Sequence, residues 1–234
     1  MNGNWGGYNA DYSSPQSPSV MTTVVYGLPR KPNAGLTPLR SLRRLVQPAI
    51  EPVSLMEAKA HVRVDTEADD LYIQGLISAA RAYCEDILDT TFITTTWEAK
   101  YNAFPLWEIN LPRPPMQPST VTVLYRDQEG VTNTITSETG AFQVDSAVVP
   151  GRIYPPYAGF WPAVRGDENS VTVRWKAGHG DSKDSVSPVV RHAILLLVGH
   201  WYMNREAVAA GAAGAPLPLA FTTLLQAADF GIYR

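Results

Sequence analysis

Four histidines and one cysteine are the residues of this chain best suited to metal binding or nucleophilic catalysis. His192 and His200 lie eight residues apart, about two helical turns, which is too far to chelate one ion. Pairs spaced HxxxH or CxxC are absent, and so are the phosphate-binding loop and the Gly-x-Ser-x-Gly elbow of hydrolases. The sequence therefore predicts no catalytic residue, no metal site and no cofactor.

Two other motifs resemble sites but have simpler explanations. Gly178-His179-Gly180-Asp181 could place a histidine beside a carboxylate, yet its glycines favour a tight turn. The acids between Asp65 and Asp70 could bind a cation, but the helix dipole favours acids in a first turn. Cys84 is interpreted as an inert core thiol. Arg174 and Lys176 are interpreted as solubilising charges on an exposed strand face.

Composition limits the function further. The chain has 234 residues, 45% of them hydrophobic, and a net charge of −3 with a pI near 5.8. This is not the basic balance of a typical nucleic-acid-binding protein. A single cysteine fits a reducing compartment, and the sequence contains neither a signal peptide nor a membrane-spanning stretch. We expect a soluble protein made in the cytoplasm.

Helical patterns occur in two parts of the chain. A capping box at Ser54-Leu55-Met56-Glu57 opens a short helix over about 54–62, and an apolar periodicity predicts a second helix over about 66–89. The third predicted helix, 187–206, begins with Ser187 and Pro188, a favourable cap and first residue. It is apolar nearly all round, which predicts burial on most sides, with Trp201 near the most buried point.

Alternating apolar and polar residues between these helices predict strands. They define a small, mostly antiparallel sheet over about 92–177, interrupted by the prolines of 112–118 and by an aromatic loop at 155–169. The fold class is therefore α+β, a helical bundle packed with a sheet. The predicted organisation is an extended N-terminal arm (1–53), a core domain (54–208), and a flexible linker with a C-terminal tail (209–234). The arm carries five basic and two acidic residues.

Three segments, in this order, resemble the phage head–tail connector (adaptor, head-completion) family of long-tailed phages. They are PVSLMEAKAHVRVDTEADDLYIQGLISAARAYCEDI at 52–87, INLPRPPMQPSTVTVLYRDQEGV at 109–131, and VTVRWKAGHGD with VVRHAILLLVGHWYMNREAV at 171–181 and 189–208. With the spacing between them they cover roughly residues 52–234. None of them is a catalytic signature, so the specificity of the resemblance lies in their order.

The resemblance implies a structural subunit rather than an enzyme. Copies would form a ring, twelve-fold in this family, beneath the portal protein in the virion neck at the capsid–tail junction. The ring would extend the DNA channel, pass DNA without sequence-specific binding, and join the portal to the next neck protein. The alternatives are another neck or tail protein, such as a stopper or tail terminator, and a small hydrolase. The helical N-terminal half favours the connector.

Two groups of residues are expected to act in assembly. Because the family uses its C-terminal end to engage the portal, the apolar tail is predicted to dock there through Leu217, Leu219, Phe221, Leu224, Leu225, Phe230, Ile232, Tyr233 and Arg234. The alternative is that these residues cover the subunit's own body. The third helix is predicted to pack in the core or between subunits through Ile194, Leu197, Val198, Trp201 and Tyr202. The arm is expected to wrap a neighbouring subunit or neck protein.

Overall fold

The computed structural model describes residues 38–205 and 219–228. Its helices are α1 (Leu55–Val62), α2 (Asp70–Ile87), α3 (Pro188–Met203) and α4 (Leu219–Ala227). The first three correspond to the predicted helices, and α4 lies in the predicted tail. The mixed α+β class is therefore confirmed. Among the described residues, no helix is long and apolar enough to cross a membrane.

The predicted capping box forms at the start of α1. The Ser54 hydroxyl accepts the Glu57 N–H at 3.3 Å, and the Glu57 carboxylate accepts the Ser54 N–H at 2.8 Å. The carboxylate also accepts a hydrogen bond from the Ser54 hydroxyl at 2.6 Å. This bond and the one from the Ser54 N–H, with a further contribution from Lys183, lower the pKa of Glu57 to about 2. The same carboxylate pairs with Arg191 of α3 at 2.6 Å, so the cap of one helix also attaches it to another.

Helix α2 begins four residues later than predicted. Residues 66–69 form turns, and Asp69 occupies the cap position without a capping hydrogen bond. Its carboxylate instead accepts hydrogen bonds from the Tyr202 hydroxyl at 2.6 Å and from Arg205 at 2.8 Å. These bonds lower the pKa of Asp69. The competing contact with the end of α3 therefore accounts for the later start.

The strands form two antiparallel sheets, where the sequence predicted one. Their bounds are β1 (Ser41–Arg44), β2 (Thr95–Tyr101), β3 (Ile109–Leu111), β4 (Thr122–Arg126), β5 (Thr132–Thr136), β6 (Gln143–Asp145), β7 (Gly151–Tyr154) and β8 (Val171–Ala177). The larger sheet has the order β1-β2-β8-β4-β5 and the smaller β3-β7-β6. Residues of both sheets share one apolar cluster, so the two sheets pack as a sandwich.

Strand β1 lies within the segment predicted to be an arm. It pairs with β2 at the edge of the larger sheet, with Leu42 opposite Ala99, and Leu42 packs against the sandwich core. Four residues with a single apolar side chain are too short a pattern for a strand signal. Whether the rest of 1–53 is an arm stays a prediction, since residues 1–37 lie outside the described part.

A second apolar cluster lies among the helices. It joins α1, α2, α3 and α4 with Phe92 and Ile93, which follow α2. On α3 the fully buried residues are Val190, Ala193, Ile194, Leu197 and Val198. Trp201 and Tyr202 are only partly buried. The expectation that Trp201 lies near the most buried point is wrong, because the deepest contacts fall in the middle of α3, one to three turns earlier.

The junction between the two clusters is built around Glu85, whose side chain is 1% exposed. Its carboxylate pairs with Arg44, the last residue of β1, at 2.6 Å, and with Arg81 at 2.8 Å. It also accepts the backbone N–H of Phe92 at 2.9 Å. Helix α2, strand β1 and the chain leading into β2 therefore meet at one buried anion.

Helix α4 packs against this chain's own helices. Phe221 and Leu225 are buried, Leu224 is partly buried, and the Phe221 ring stacks on Tyr83 of α2 with centroids 6.1 Å apart. Of the described members of the predicted docking set, only Leu219 is mostly exposed. Leu217, Phe230, Ile232, Tyr233 and Arg234 lie outside the described residues. Docking of the tail to a portal stays a prediction, but Phe221 and Leu225 face the subunit's own core.

We expect Glu85→Gln to destabilise the protein by about 3 kcal/mol or more, because it removes one partner of a buried charged cluster. Urea denaturation measures this loss. The matched control is Asp86→Asn, since Asp86 pairs with Arg113 but its side chain is 70% exposed. An exposed pair is worth about 1 kcal/mol or less. Similar losses for the two variants would contradict the assigned role of Glu85.

Phe221→Ala should lower thermal stability, because truncating a buried phenylalanine costs about 3–5 kcal/mol. Leu219→Ala on the same helix is the control and should leave the melting temperature nearly unchanged. If both variants melt like the unmodified protein, α4 is not part of the core, and Phe221 and Leu225 are available to a partner after all.

Candidate assembly surfaces

The residues that suggested chemistry are placed by the structure in supporting roles. Cys84 is fully buried, and burial raises the pKa of its thiol to about 12, so it is a poor nucleophile. His61 and His192 pack edge to face with centroids 6.5 Å apart. Burial, together with the neighbouring His192, lowers the pKa of His61. Within residues 38–205 and 219–228, no group of three His, Cys, Asp or Glu could hold a metal ion.

The Gly178–Asp181 motif is a bent segment, and not a hydrogen-bonded tight turn, that pairs with the chain after α2 through a parallel bridge between Gly180 and Ile93. The His179 N–H donates to the Phe92 carbonyl at 3.0 Å, and the Gly178 N–H donates to the Pro115 carbonyl at 2.9 Å. Gly178 has a φ of 142°, and a Cβ there would lie 2.5 Å from the backbone of Thr94. Only glycine fits so close an approach.

Two aromatic loops meet beside the sandwich, where Phe104 and Trp161 pack against its apolar cluster. Phe104 and Trp161 stack with centroids 4.7 Å apart and nearly parallel rings, and the Trp161 indole N–H donates to the Trp107 carbonyl at 3.3 Å. These contacts join the loop after β2 to the loop after β7. Beside them lie exposed apolar side chains that we call the aromatic platform: Leu106, Trp107, Tyr157 and Phe160.

The platform is unusual because its large side chains are held out in solvent. Tyr157 is 93% exposed and Phe160 is 85% exposed. Clustered exposed aromatics mark protein interaction sites, since tyrosine and tryptophan supply much of the binding energy at interfaces. The sequence predicted an aromatic loop at 155–169 but not that its rings would be exposed. The composition of residues 155–169 was the signal available.

An apolar groove lies on the helical side of the molecule. A groove of about 560 Å³ opens between the segment before α1 and helix α2. Ile50, Val53, Leu55 and Ile77 supply its apolar lining, and Glu51 and Lys183 lie among its polar residues. The chain therefore carries a projecting apolar surface and a separate apolar groove.

Comparisons with known proteins agree with the sequence resemblance. The family model described as phage gp6-like head-tail connector protein matches residues 52–117, which span α1, α2 and the first two strands of the core. No curated protein sequence matches the chain.

Solved structures similar to this chain come from gene transfer agent (GTA) particles. A chain from the neck of an empty particle, computed with C6 symmetry, has a TM-score of 0.63 at 20% identity, covering 80% of this chain and 94% of that chain. A chain from the virion of the native particle has a TM-score of 0.61 at 20% identity, with coverage of 80% and 93%. One from the native neck, computed with C12 symmetry, has 0.57 at 20% identity and the same coverage.

The structural likeness covers 80% of this chain, whereas the family match is confined to residues 52–117. Together they confirm the resemblance predicted from the sequence: this chain carries the signature of the phage head–tail connector family over residues 52–117 and shares its fold with chains from the necks of gene transfer agent particles.

Proposed function

We propose that this chain is a structural head–tail connector subunit that forms a ring beneath the portal in a phage-type neck. The observation that carries the proposal is the connector family match over residues 52–117. The neck origin of the similar structures supports it. In this role the ring extends the DNA channel and joins the capsid to the tail, and its partners are further copies, the portal and the next neck protein.

A structural role without catalysis also fits the chemistry of the described side chains. The buried thiol and the paired histidines serve packing within the chain, and Asp69, directly before α2, pairs with Arg205. Nothing in the comparisons favours the hydrolase alternative.

Ring formation requires two different, complementary patches on each subunit. The aromatic platform and the groove beside α2 fit this requirement, since one projects and the other is concave, and both are largely apolar. We infer that the platform of one copy enters the groove of the next. Tyr157 and Phe160 are the expected anchors, because they are the most exposed aromatics of the platform.

The full chain should form ring-shaped oligomers, alone or with its portal, in light scattering and negative-stain images. Tyr157→Ser with Phe160→Ser should prevent ring closure while leaving the melting temperature unchanged, because these side chains contribute little to the subunit's own core. Ile50→Asp should do the same from the groove side. Val131→Ser, at an exposed apolar residue next to the β4–β5 turn, is the control and should assemble normally.

Mixing the platform variant with the groove variant tests the proposed interface separately from the connector function. Each retains one intact side, so the mixture should form pairs but not rings. Rings from the platform variant would show that the contact is placed wrongly while the connector function stands. A full chain that stays monomeric even with portal would contradict the connector function itself.

A further inference from the structure

One face of the larger sheet points away from the sandwich core, and we call it the open sheet face. In antiparallel pairs, residues directly opposite each other share a face. Arg43, Glu98, Arg174, Thr122 and Thr136 form one such row across all five strands. The next row, Leu42, Ala99, Val173, Val123 and Ile135, belongs to the core.

The open sheet face is basic and rich in threonine. It carries five basic residues against one acidic residue, together with six threonines. The charged members are Arg43, Lys100, Arg126, Arg174, Lys176 and Glu98, and the threonines are Thr96, Thr122, Thr132, Thr134, Thr136 and Thr172. The chain as a whole has a net charge of −3, so the balance of this face is opposite to that of the full sequence.

Glu98 anchors the basic side chains instead of neutralising the face. It is 1% exposed and accepts hydrogen bonds from the Nε atoms of Arg43 and Arg174, each at 2.8 Å. Although burial opposes ionisation, these bonds lower the pKa of Glu98. The two arginine side chains remain 57% and 45% exposed. A buried carboxylate therefore holds two guanidinium groups at fixed positions on an exposed surface.

A shallow polar depression of about 240 Å³ lies over this anchor. Besides Arg43 and Arg174 it is lined by Lys100, Arg126 and the hydroxyl-bearing side chains of Thr132 and Thr172, among others. Arg126 is itself oriented by Asp167 at 2.9 Å. Positioned cations beside hydroxyl donors are the groups that bind phosphate oxygens in proteins.

We propose that the open sheet face contacts the phosphate backbone of double-stranded DNA without sequence preference. This inference rests on the proposed function, in which the subunit surrounds a DNA channel. Strands β1 and β4, which carry Arg43 and Arg126, are three strand spacings apart in the sheet, about 14 Å across. DNA carries a charge per about 1.7 Å of axis, so several phosphates fall within that width. Arginine, lysine and threonine side chains suit contacts to backbone oxygens, which carry no sequence information.

The test is fluorescence anisotropy of the full chain with labelled duplexes of two unrelated sequences, across a series of salt concentrations. We expect equal affinity for both sequences and a binding constant that falls with salt. Lys176→Gln should reduce the slope of log K against log salt by about 0.9, the value for one lost phosphate contact. Arg126→Gln is a second variant with the same expectation. Arg63→Gln, the same charge change at an exposed residue after α1, is the control and should keep the slope of the unmodified protein.

Other outcomes would overturn the inference. No binding at about 50 mM salt, or an equal effect of Arg63→Gln, would show that the face has no particular role with DNA. Loss of oligomers in Lys176→Gln, measured by light scattering on the same samples, would reassign the face to an acidic protein partner. Failure of the unmodified chain to assemble would concern the connector function instead, since DNA binding by a single subunit is measured independently.

Discussion

The structure depends above all on the buried carboxylate of Glu85. A carboxylate removed from water is unfavourable unless cations and hydrogen-bond donors surround it. Here Arg44 approaches from the edge strand, Arg81 from the preceding helical turn, and the Phe92 N–H from the chain entering the sheet. Because these groups come from three parts of the chain, satisfying one charge sets the position of the helices against the sandwich.

The same junction explains why one chain contains two separate cores. Thr90 and Thr91, which follow α2 by three and four residues, both donate hydrogen bonds to the carbonyl of Pro114 in the proline-containing segment 112–118. The Trp97 indole donates to the Thr91 hydroxyl at 3.1 Å. These polar contacts separate the two apolar clusters. The helices bury their apolar side chains in one cluster, and the sheets bury theirs in the other. Surface features are divided accordingly, with the groove on the helical side and the aromatic platform on the sandwich, as a subunit contacting different neighbours requires.

Local signals in the sequence predicted the elements well, while long-range pairing was out of reach. The capping box at Ser54 and the Ser187-Pro188 start of α3 are specified by neighbouring residues, and both appear as expected. Strand β1 was missed because it exists only through pairing with β2, 55 residues away at Arg43 and Glu98. Trp201 was misplaced for a related reason. An apolar helix shows that burial occurs, but its deepest point depends on where other helices cross it.

The charge distribution on the candidate functional surfaces also depends on long-range strand pairing, which the sequence alone does not predict. The net charge of the whole chain is acidic, which argued against contact with nucleic acid. Arg174 was interpreted as a solubilising residue. In the structure Arg174 is opposite Glu98 on β2, and its neighbours across the sheet gather basic residues from four strands onto one face. A net charge averages over surfaces that point in different directions, whereas a polyanion responds to the potential of the face it meets. The arrangement of strands, which no local pattern specifies, converts a mildly acidic chain into a subunit with one basic side.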